Sequence, residues 1–244
     1  MRIFDTDPNL RWLFCMTHPD DEISICAWVR YLVASGAEVH LSWTHHTKVR
    51  KYEAGYSAEY LGVPEDRLFF HAGRDGDVCD QIEELTPSFS EMVNLVQPDR
   101  ICCGAFEQGH LDHDATNLLV NKTFCGLVFE IPFYHTYLNR MPIVNRFAQP
   151  DGQEIIKLPR EVQAFKVAFS KIFTSQSIYR NLQFSEVRRT FRLESPEEAL
   201  RKTERMRLQS HTDFLTPNLP EPLASKVRSS PKWQRWEKAV RAIL

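Results

Sequence analysis

The stretch that decides the fold is WLFCMTHPDDEISICAW, Trp12 to Trp28. An apolar run leads into one histidine, one proline and three consecutive carboxylates, and the chain then turns apolar again. A short continuous apolar run of this kind reads as a strand buried on both faces. The segment after it, DEISICAWVRYLVASG, places Ile23, Cys26, Ala27, Val29, Tyr31 and Leu32 on a helical pattern and stops at Gly36. The carboxylates therefore stand at the carboxyl end of a core strand, where negative charge without a partner is costly.

The same rhythm continues outward from this unit. AEVHLSWT reads as a second strand, VRKYEAGYSAEYLGV as a helix ending near Gly62, and DRLFFHA as a third strand. QIEELTPSFSEMVNLVQ reads as a helix broken at Pro87, DRICCGAF as a fourth strand and LDHDATNLLVNKTFCGLVF as a further helix. Alternation of this sort predicts an α/β fold, a Rossmann-like, doubly wound, mostly parallel sheet with helices on both faces. Such sheets bind ligands beyond the carboxyl ends of their strands. A second charged cluster, EQGHLDHD, follows the fourth strand as the first cluster follows the first strand.

The second half is less regular. PREVQAFKVAFSKIFTSQ reads as a helix, and SPEEALRKTERMRLQ opens like one, with a capping box from Ser195 to Glu198 and Pro196 in the first turn. A proline-rich loop, TPNLPEPLASKVRSSP, precedes an amphipathic helix with Trp233, Trp236, Val240 and Ile243 on one face. The expectation is one domain over residues 1–244, with its core at about 10–180 and an irregular, helical C-terminal extension at about 181–244.

Bulk charge excludes little but directs attention away from polyanions. With 30 basic and 32 acidic residues the formal net charge is −2, so neither nucleic acid nor an anionic membrane is an expected partner. The basic C-terminal residues Lys226, Arg228, Lys232, Arg235, Lys238 and Arg241 alternate with apolar ones and read as a solvated helix face. No apolar stretch is long enough to cross a bilayer, and MRIFDTDPNL lacks the apolar core of a signal peptide, so a cytoplasmic location is expected. The six cysteines form no CxxC pair and sit mostly in apolar runs, which reads as reduced, buried thiols.

His18 and Asp21 lie three residues apart on a tight turn, a spacing that lets an imidazole and a carboxylate converge on one divalent ion such as zinc. His110 and His113 are also three apart. One histidine of the second loop added to His18 and Asp21 makes a site of two histidines and one carboxylate, which leaves open positions for water and substrate. The competing reading of HPDDE is a strand-to-helix turn in which Pro19 sets the backbone and the carboxylates serve the helix N-terminus. A histidine pair spaced like that of GHLDHD is, by itself, more often not a ligand pair. The two motifs at the ends of two parallel strands are more specific than either alone.

These residues resemble the LmbE-like metal-dependent N-deacetylases, the family that includes the N-acetylglucosaminyl-phosphatidylinositol deacetylases. His-Pro-Asp-Asp-Glu stands at His18–Glu22, and His-x-Asp-His at His110–His113. Weaker echoes are Arg50 with Glu53, LGV at Leu61–Val63, GRDGD, and FTSQ at Phe173–Gln176, so the likeness covers roughly residues 10–180. The resemblance implies a Zn²⁺ hydrolase, one ion per chain with Fe²⁺ as an alternative, held by His18, Asp21 and His113. It implies Asp20 as general base, a protonated His110 that stabilises the oxyanion or donates to the leaving amine, and Asp112 as the partner that orients a neighbouring histidine. Arg50 and Asp75 match positions that touch sugar hydroxyls in relatives. Each also has a plain reading, Arg50 as an exposed helix charge and Asp75 as a turn residue.

Two positions depart from the family pattern. Gln108 stands where some members have a tyrosine at the oxyanion, and Leu111 where proline is common. The Gln108 amide can donate a hydrogen bond but not a proton. The aromatic segment EIPFYHTY, with Tyr134 and His135, could wall the sugar pocket, but such clusters are more often core; one of His45 and His46, which follow the second strand at the same sheet edge, could line the site, but a surface histidine is the plainer reading. The implied substrate is the acetamide of an N-acetylglucosamine-type aminosugar in a soluble small molecule: a thiol precursor, an antibiotic or other natural-product intermediate, or a chito-oligosaccharide. The alternatives are an amidase or deformylase acting on a non-sugar, and a non-catalytic binding module with the same fold. A nucleotide-binding protein is disfavoured, because the loop after the first strand carries carboxylates instead of a glycine-rich phosphate cradle. A homo-oligomer is compatible with the sequence.

Overall fold

Strand β1 (Arg11–Met16) is apolar throughout because both of its faces are covered. Trp12, Phe14 and Met16 face one core layer, and Leu13 and Cys15 face the other, the two-residue alternation of a pleated strand. The computed structural model describes residues 2–243 apart from 136–142, Ser177 and Glu197, and apart from the side chains of Tyr134, His135, Tyr179, Asn181, Phe184 and Ser185.

The predicted rhythm of the first half is the observed one. β1 is followed by α1 (Cys26–Ala34), β2 (Glu38–His45), α2 (Lys48–Leu61), β3 (Leu68–Gly73), α3 (Ile82–Val96), β4 (Arg100–Gly104), α4 (Leu111–Thr123) and β5 (Leu127–Ile131). A short hairpin of β6 (Tyr134–His135) and β7 (Ile143–Val144) and a strand β8 (Gln153–Lys157) lead to α5 (Arg160–Ser170) and α6 (Ile178–Thr190). Strand β9 (Thr203–Leu208) precedes α7 (Glu221–Arg228) and α8 (Pro231–Arg241). Among the described residues the main sheet runs β3-β2-β1-β4-β5-β9-β8. The pairs among β3, β2, β1, β4 and β5 are parallel, and those of β9 with β5 and β8 are antiparallel.

This order creates the crevice. The chain leaves β1 toward β2 on one side and leaves β4 toward β5 on the other, so the carboxyl ends of β1 and β4 flank a topological switch point. Both charged motifs stand there. α1, α2 and α5 cover one face of the sheet, and α3, α4 and α8 cover the other.

Three elements differ from the sequence expectation. The helix expected to run to Phe129 ends at Thr123. Phe124 is already extended, and Leu127–Ile131 becomes a buried strand against β4. α3 continues through Pro87, with Pro87 and Glu83, whose carbonyl proline leaves without a helical donor, both exposed. Half of the capping box forms, with Ser195 N donating to Glu198 Oε2 at 3.2 Å while Glu198 N bonds the Ser195 carbonyl, yet among the described residues no helix follows it. Thr203–Leu208 is instead drawn into the sheet between β5 and β8, with Glu204 and Met206 buried on one face and Arg207 on the other. The extension is therefore part of the sheet and not only a helical addition. Five of the cysteines are buried and Cys125 is exposed, all of them free thiols.

Candidate active site

The loop after β1 is shaped by its own carboxylates. Asp21 Oδ2 accepts from the backbone of Thr17 at 3.0 Å and of His18 at 2.8 Å, which folds the chain back on itself. Asp20 takes a φ of 120°, a region that side chains rarely adopt and that costs about 1–3 kcal/mol. Its amide donates to Glu22 Oε2 at 2.9 Å. Glu22 turns into the protein, where Ser57 Oγ donates to it at 2.8 Å and Trp43 Nε1 lies 3.4 Å away. Glu204 of β9 accepts from the first amides of α1, Ala27 at 2.9 Å and Trp28 at 2.8 Å, and pairs with Lys166 of α5 at 2.9 Å.

The loop after β4 is shaped by a helix N-terminus. The Nδ1 of His110 accepts from Asp112 N at 3.2 Å and caps α4. Asp112 Oδ2 accepts from Gly76 N at 2.6 Å and Oδ1 from Val78 N at 3.2 Å, which ties this loop to the one that carries Asp75. Gln108 has a φ of 54°, and its amide donates to Asp114 Oδ1 at 3.2 Å. The Thr116 hydroxyl, one turn deeper in α4, bonds to Thr17 at 2.9 Å and Thr44 at 2.8 Å and locks α4 to β1 and β2. Gly104, at the end of β4, carries no side chain because the Phe133 ring occupies that space. A Cβ there would meet the ring at 2.5 Å. Phe133 in turn stands edge-on to His113, with ring centroids 4.8 Å apart.

The two loops meet. His18, Asp21 and His113, all buried, bring one potential ligand atom each within 4.8 Å of one another. Asp21 Oδ1 lies 3.4 Å from His113 Nε2, and Asp21 Oδ2 lies 4.0 Å from His18 Nδ1. The opposite nitrogen of His18 faces Asp75 Oδ1 at 3.4 Å and Asp112 Oδ2 at 3.5 Å. Burial disfavours a charge on His18, but Asp112, Asp75 and Asp21 outweigh it and raise the ring to about 10. Burial likewise opposes an ionised Asp21, and His113 and His18 bring it down to about 2. A pocket that holds this much negative charge demands a cation. Two imidazoles and a carboxylate are the donor set that suits a divalent ion of the zinc type, and carboxylates behind a ligand histidine orient it. The residues therefore fit a metal.

The remaining residues named from the sequence gather around this centre. The Asp20 side chain is 15% exposed, and burial together with Asp21 pushes its carboxyl well above the usual range. Arg50 donates to Asp20 Oδ1 at 2.8 Å and to Pro19 O at 2.6 Å, so it is a buried brace of the first loop rather than an exposed helix charge. Asp75 is at the mouth, its side chain 60 % exposed. The hydrogen bond from His18 holds its carboxyl well below the ordinary value. Gln108 is buried, and its side-chain amide has no hydrogen-bond partner among the described residues. His110 departs from the implied imidazolium. Burial first, then His113, lower it to about 4, so the ring is neutral, with Nδ1 accepting and the hydrogen on Nε2.

Two further features were read differently from the sequence. His45, expected at the surface, is buried at the end of β2, with its ring 5.8 Å from that of His18. A histidine closing a strand next to the switch point was the available signal. The weak echoes also prove to be partners. Glu53 of α2 accepts from Ser175 N at 2.9 Å, Ser175 Oγ at 2.6 Å and Thr174 Oγ1 at 3.0 Å, so FTSQ docks on α2 one turn from Arg50. The side chains of Tyr134 and His135, and Tyr137, lie outside the described residues.

The family match, within this fold, supports a hydrolytic N-deacetylase as the class. More particularly, residues 13–124, which contain both motifs, match the family described as GlcNAc-PI de-N-acetylase (PIG-L). No curated protein matches the sequence. Among solved structures, a deacetylase of the teicoplanin biosynthesis pathway is 13% identical with a TM-score of 0.60, covering 83% of this chain and 100% of its own. The N,N'-diacetylchitobiose deacetylase from Pyrococcus horikoshii is 16% identical with a TM-score of 0.58, covering 84% and 87%. GalB, the 4-carboxy-2-hydroxymuconate hydratase from Pseudomonas putida, is 15% identical with a TM-score of 0.51, covering 86% and 100%. At these identities the likeness establishes the fold. No helix among the described residues is long and apolar enough to cross a membrane.

Proposed function

We propose that this protein is a zinc-dependent N-deacetylase that hydrolyses the acetamide of an N-acetylglucosamine-type aminosugar in a small molecule. The observation that carries the reading is the convergence of His18, Asp21 and His113 at the switch point, with Asp20 beside them. The family match and the sugar deacetylases among the structural neighbours support the substrate class.

His18, Asp21 and His113 would hold one Zn²⁺ per chain, which when bound supplies a Lewis acid and an activated water at neutral pH. Asp20 is the general base. Its strained backbone, burial and raised pKa suit a carboxylate that takes up a proton during turnover. Arg50 fixes one oxygen of that carboxylate and leaves the other for the proton. His110 presents Nε2–H toward the developing oxyanion and the leaving amine, while α4 holds its other nitrogen. The unpaired amide of Gln108 offers an additional donor in place of a tyrosine hydroxyl. Asp112 orients His18, and Asp75 receives sugar hydroxyls at the mouth.

The test is metal analysis of the purified protein beside His113→Ala, followed by acetate release from N-acetylglucosamine, N,N'-diacetylchitobiose and N-acetylglucosaminyl conjugates. One zinc per chain, lost in the variant together with acetate release, is the expected result. Metal without acetate release from any of these compounds would overturn the sugar reading and favour a formyl or non-sugar amide, or the hydratase chemistry carried by a protein of the same fold.

A further inference from the structure

Helix α2 buries one face against the protein, with Arg50, Glu53, Ala54, Ser57, Ala58 and Leu61. Down the opposite face run Lys48, Tyr52, Gly55 and Glu59, at intervals of four, three and four residues, the spacing of a coiled-coil seam. Val49 and Tyr56 flank the seam on one side. Tyr52 is 80% exposed, Val49 60% and Tyr56 54%. Together with Phe70 and Ile172 these residues line an open depression of about 1110 Å³. A contiguous exposed apolar patch of this kind marks a contact surface.

The seam contains residues that the single chain does not call for. Glycine weakens a helix interior relative to alanine. A Cβ built on Gly55 would meet nothing within 4 Å, so the chain's own packing does not require glycine there. Lys48 stands in the first turn of α2 and Glu59 in the last, so both charges oppose the helix macrodipole. Among the described residues neither makes an ion pair, whereas Lys51, beside the seam, lies over the Phe70 ring at 4.6 Å.

We propose that this face of α2 is the contact of a two-fold homodimer in which the two copies of the helix pack antiparallel. An axis midway between Tyr52 and Gly55 sets Lys48 opposite the partner's Glu59 and Tyr52 opposite the partner's Gly55, where the missing side chain leaves room for the ring. Val49 and Tyr56 of the two copies gather on one side of the axis. Lys48 then stands at the carboxyl end of the partner's helix and Glu59 at its amino end, so each charge that opposes its own dipole complements the other one. The charge pattern selects this occupant. An anionic surface would meet Glu59 and Glu65 together with the lysines, whereas a face with lysine at one end and glutamate at the other complements an inverted copy of itself. The inference goes beyond the deacetylase reading and is independent of it.

The experiment is sedimentation equilibrium of the purified chain in wild type, Lys48→Glu, Glu59→Lys and the double swap Lys48→Glu/Glu59→Lys. Tm and far-UV circular dichroism confirm that each is folded. Wild type is expected to self-associate. Each single reversal raises the dissociation constant about 10-fold or more, because like charges then face each other at both ends of the seam. The double swap recovers the association, and the two single variants mixed in equal amounts form a heterodimer, since each supplies the charge that the other lacks. An assembly larger than a dimer supports the inference if the reversals reduce it and the swap restores it. Wild type that stays monomeric at about 100 μM overturns the inference. So does an association that either single reversal leaves unchanged, or one that the swap or the mixture fails to restore.

Discussion

The loop after β1 and the loop after β4 bring one candidate ligand histidine each, but they are built differently. The first carries three consecutive carboxylates with three separate tasks. Asp21 organises the turn and faces the metal position, Asp20 is strained and held by Arg50, and Glu22 points inward to Ser57 and Trp43. The second has its residues set by a helix N-terminus, with His110 as cap and Asp112 receiving two amides from the loop that carries Asp75. The first loop leans on distant chain, Glu204 and Lys166 reaching it from β9 and α5. The second leans on Arg207, which bridges Glu107 at 2.9 Å and Glu130 at 2.7 Å, and on the α8 residue Arg235, which bonds Gly76 O, Asp77 and Asp80. Neighbours in sequence thus diverge in role because the fold places them in different surroundings.

Substitutions along the first loop break this comparison most sharply. Asp20→Asn is expected to lower kcat by about 10²–10⁴ with zinc retained. Asp21→Asn, one residue on, loses the metal, which parallel metal analysis and rate measurement would distinguish. If both variants kept zinc and lost the same activity, the separate roles would be wrong. Next in size is the distant brace. Glu204→Gln leaves Lys166 buried without its counter-charge, and denaturant unfolding should show a loss of about 3–5 kcal/mol. A loss below 1 kcal/mol would mean that α1 and the loop do not depend on β9.

The second loop has a pH signature of its own. Burial raises Glu107 to about 7 despite Arg207. A carboxyl whose folded pKa lies above its unfolded value binds more protons when folded. Its contribution therefore declines as pH rises from about 4.5 to about 7 and stays lost above that range. Glu107→Gln should flatten that part of the Tm–pH curve, and an unchanged slope would move the titration elsewhere. The smallest effect is expected at Arg235, which is part-exposed. Arg235→Ala should cost under about 1 kcal/mol of stability. It should raise KM more than it lowers kcat, because the loop it steadies carries Asp75 and not the metal ligands.

Legibility followed sequence distance. His18, Asp20, Asp21, His110, Asp112 and His113 were readable because each motif is contiguous and each follows an apolar strand that the alternation of elements places at one sheet edge. Arg50 and Asp75 were readable only as matches to relatives, and the engagement of Arg50 with Asp20 was not foreseen. His45 was read as a surface residue although it closes β2 at the same sheet edge, because a lone histidine after a strand is more often solvated than buried. β9 was read as helix because its local signals, a capping box and several helix formers, are real. The sheet edge of β5 outweighed them by pairing its backbone and burying Glu204 and Met206.

By itself, the sequence determined the parallel half of the sheet, the two loops and the donor set between them, since strand burial, helix periodicity and ligand chemistry are all written in short stretches. Only the tertiary structure decided which carboxylate serves which purpose, that β9 joins the sheet, that Glu204 and Lys166 hold the first loop, and that His45 faces Asp75. Each of these depends on the field, the burial or the backbone partner supplied by residues tens to hundreds of positions away, and no local pattern encodes those.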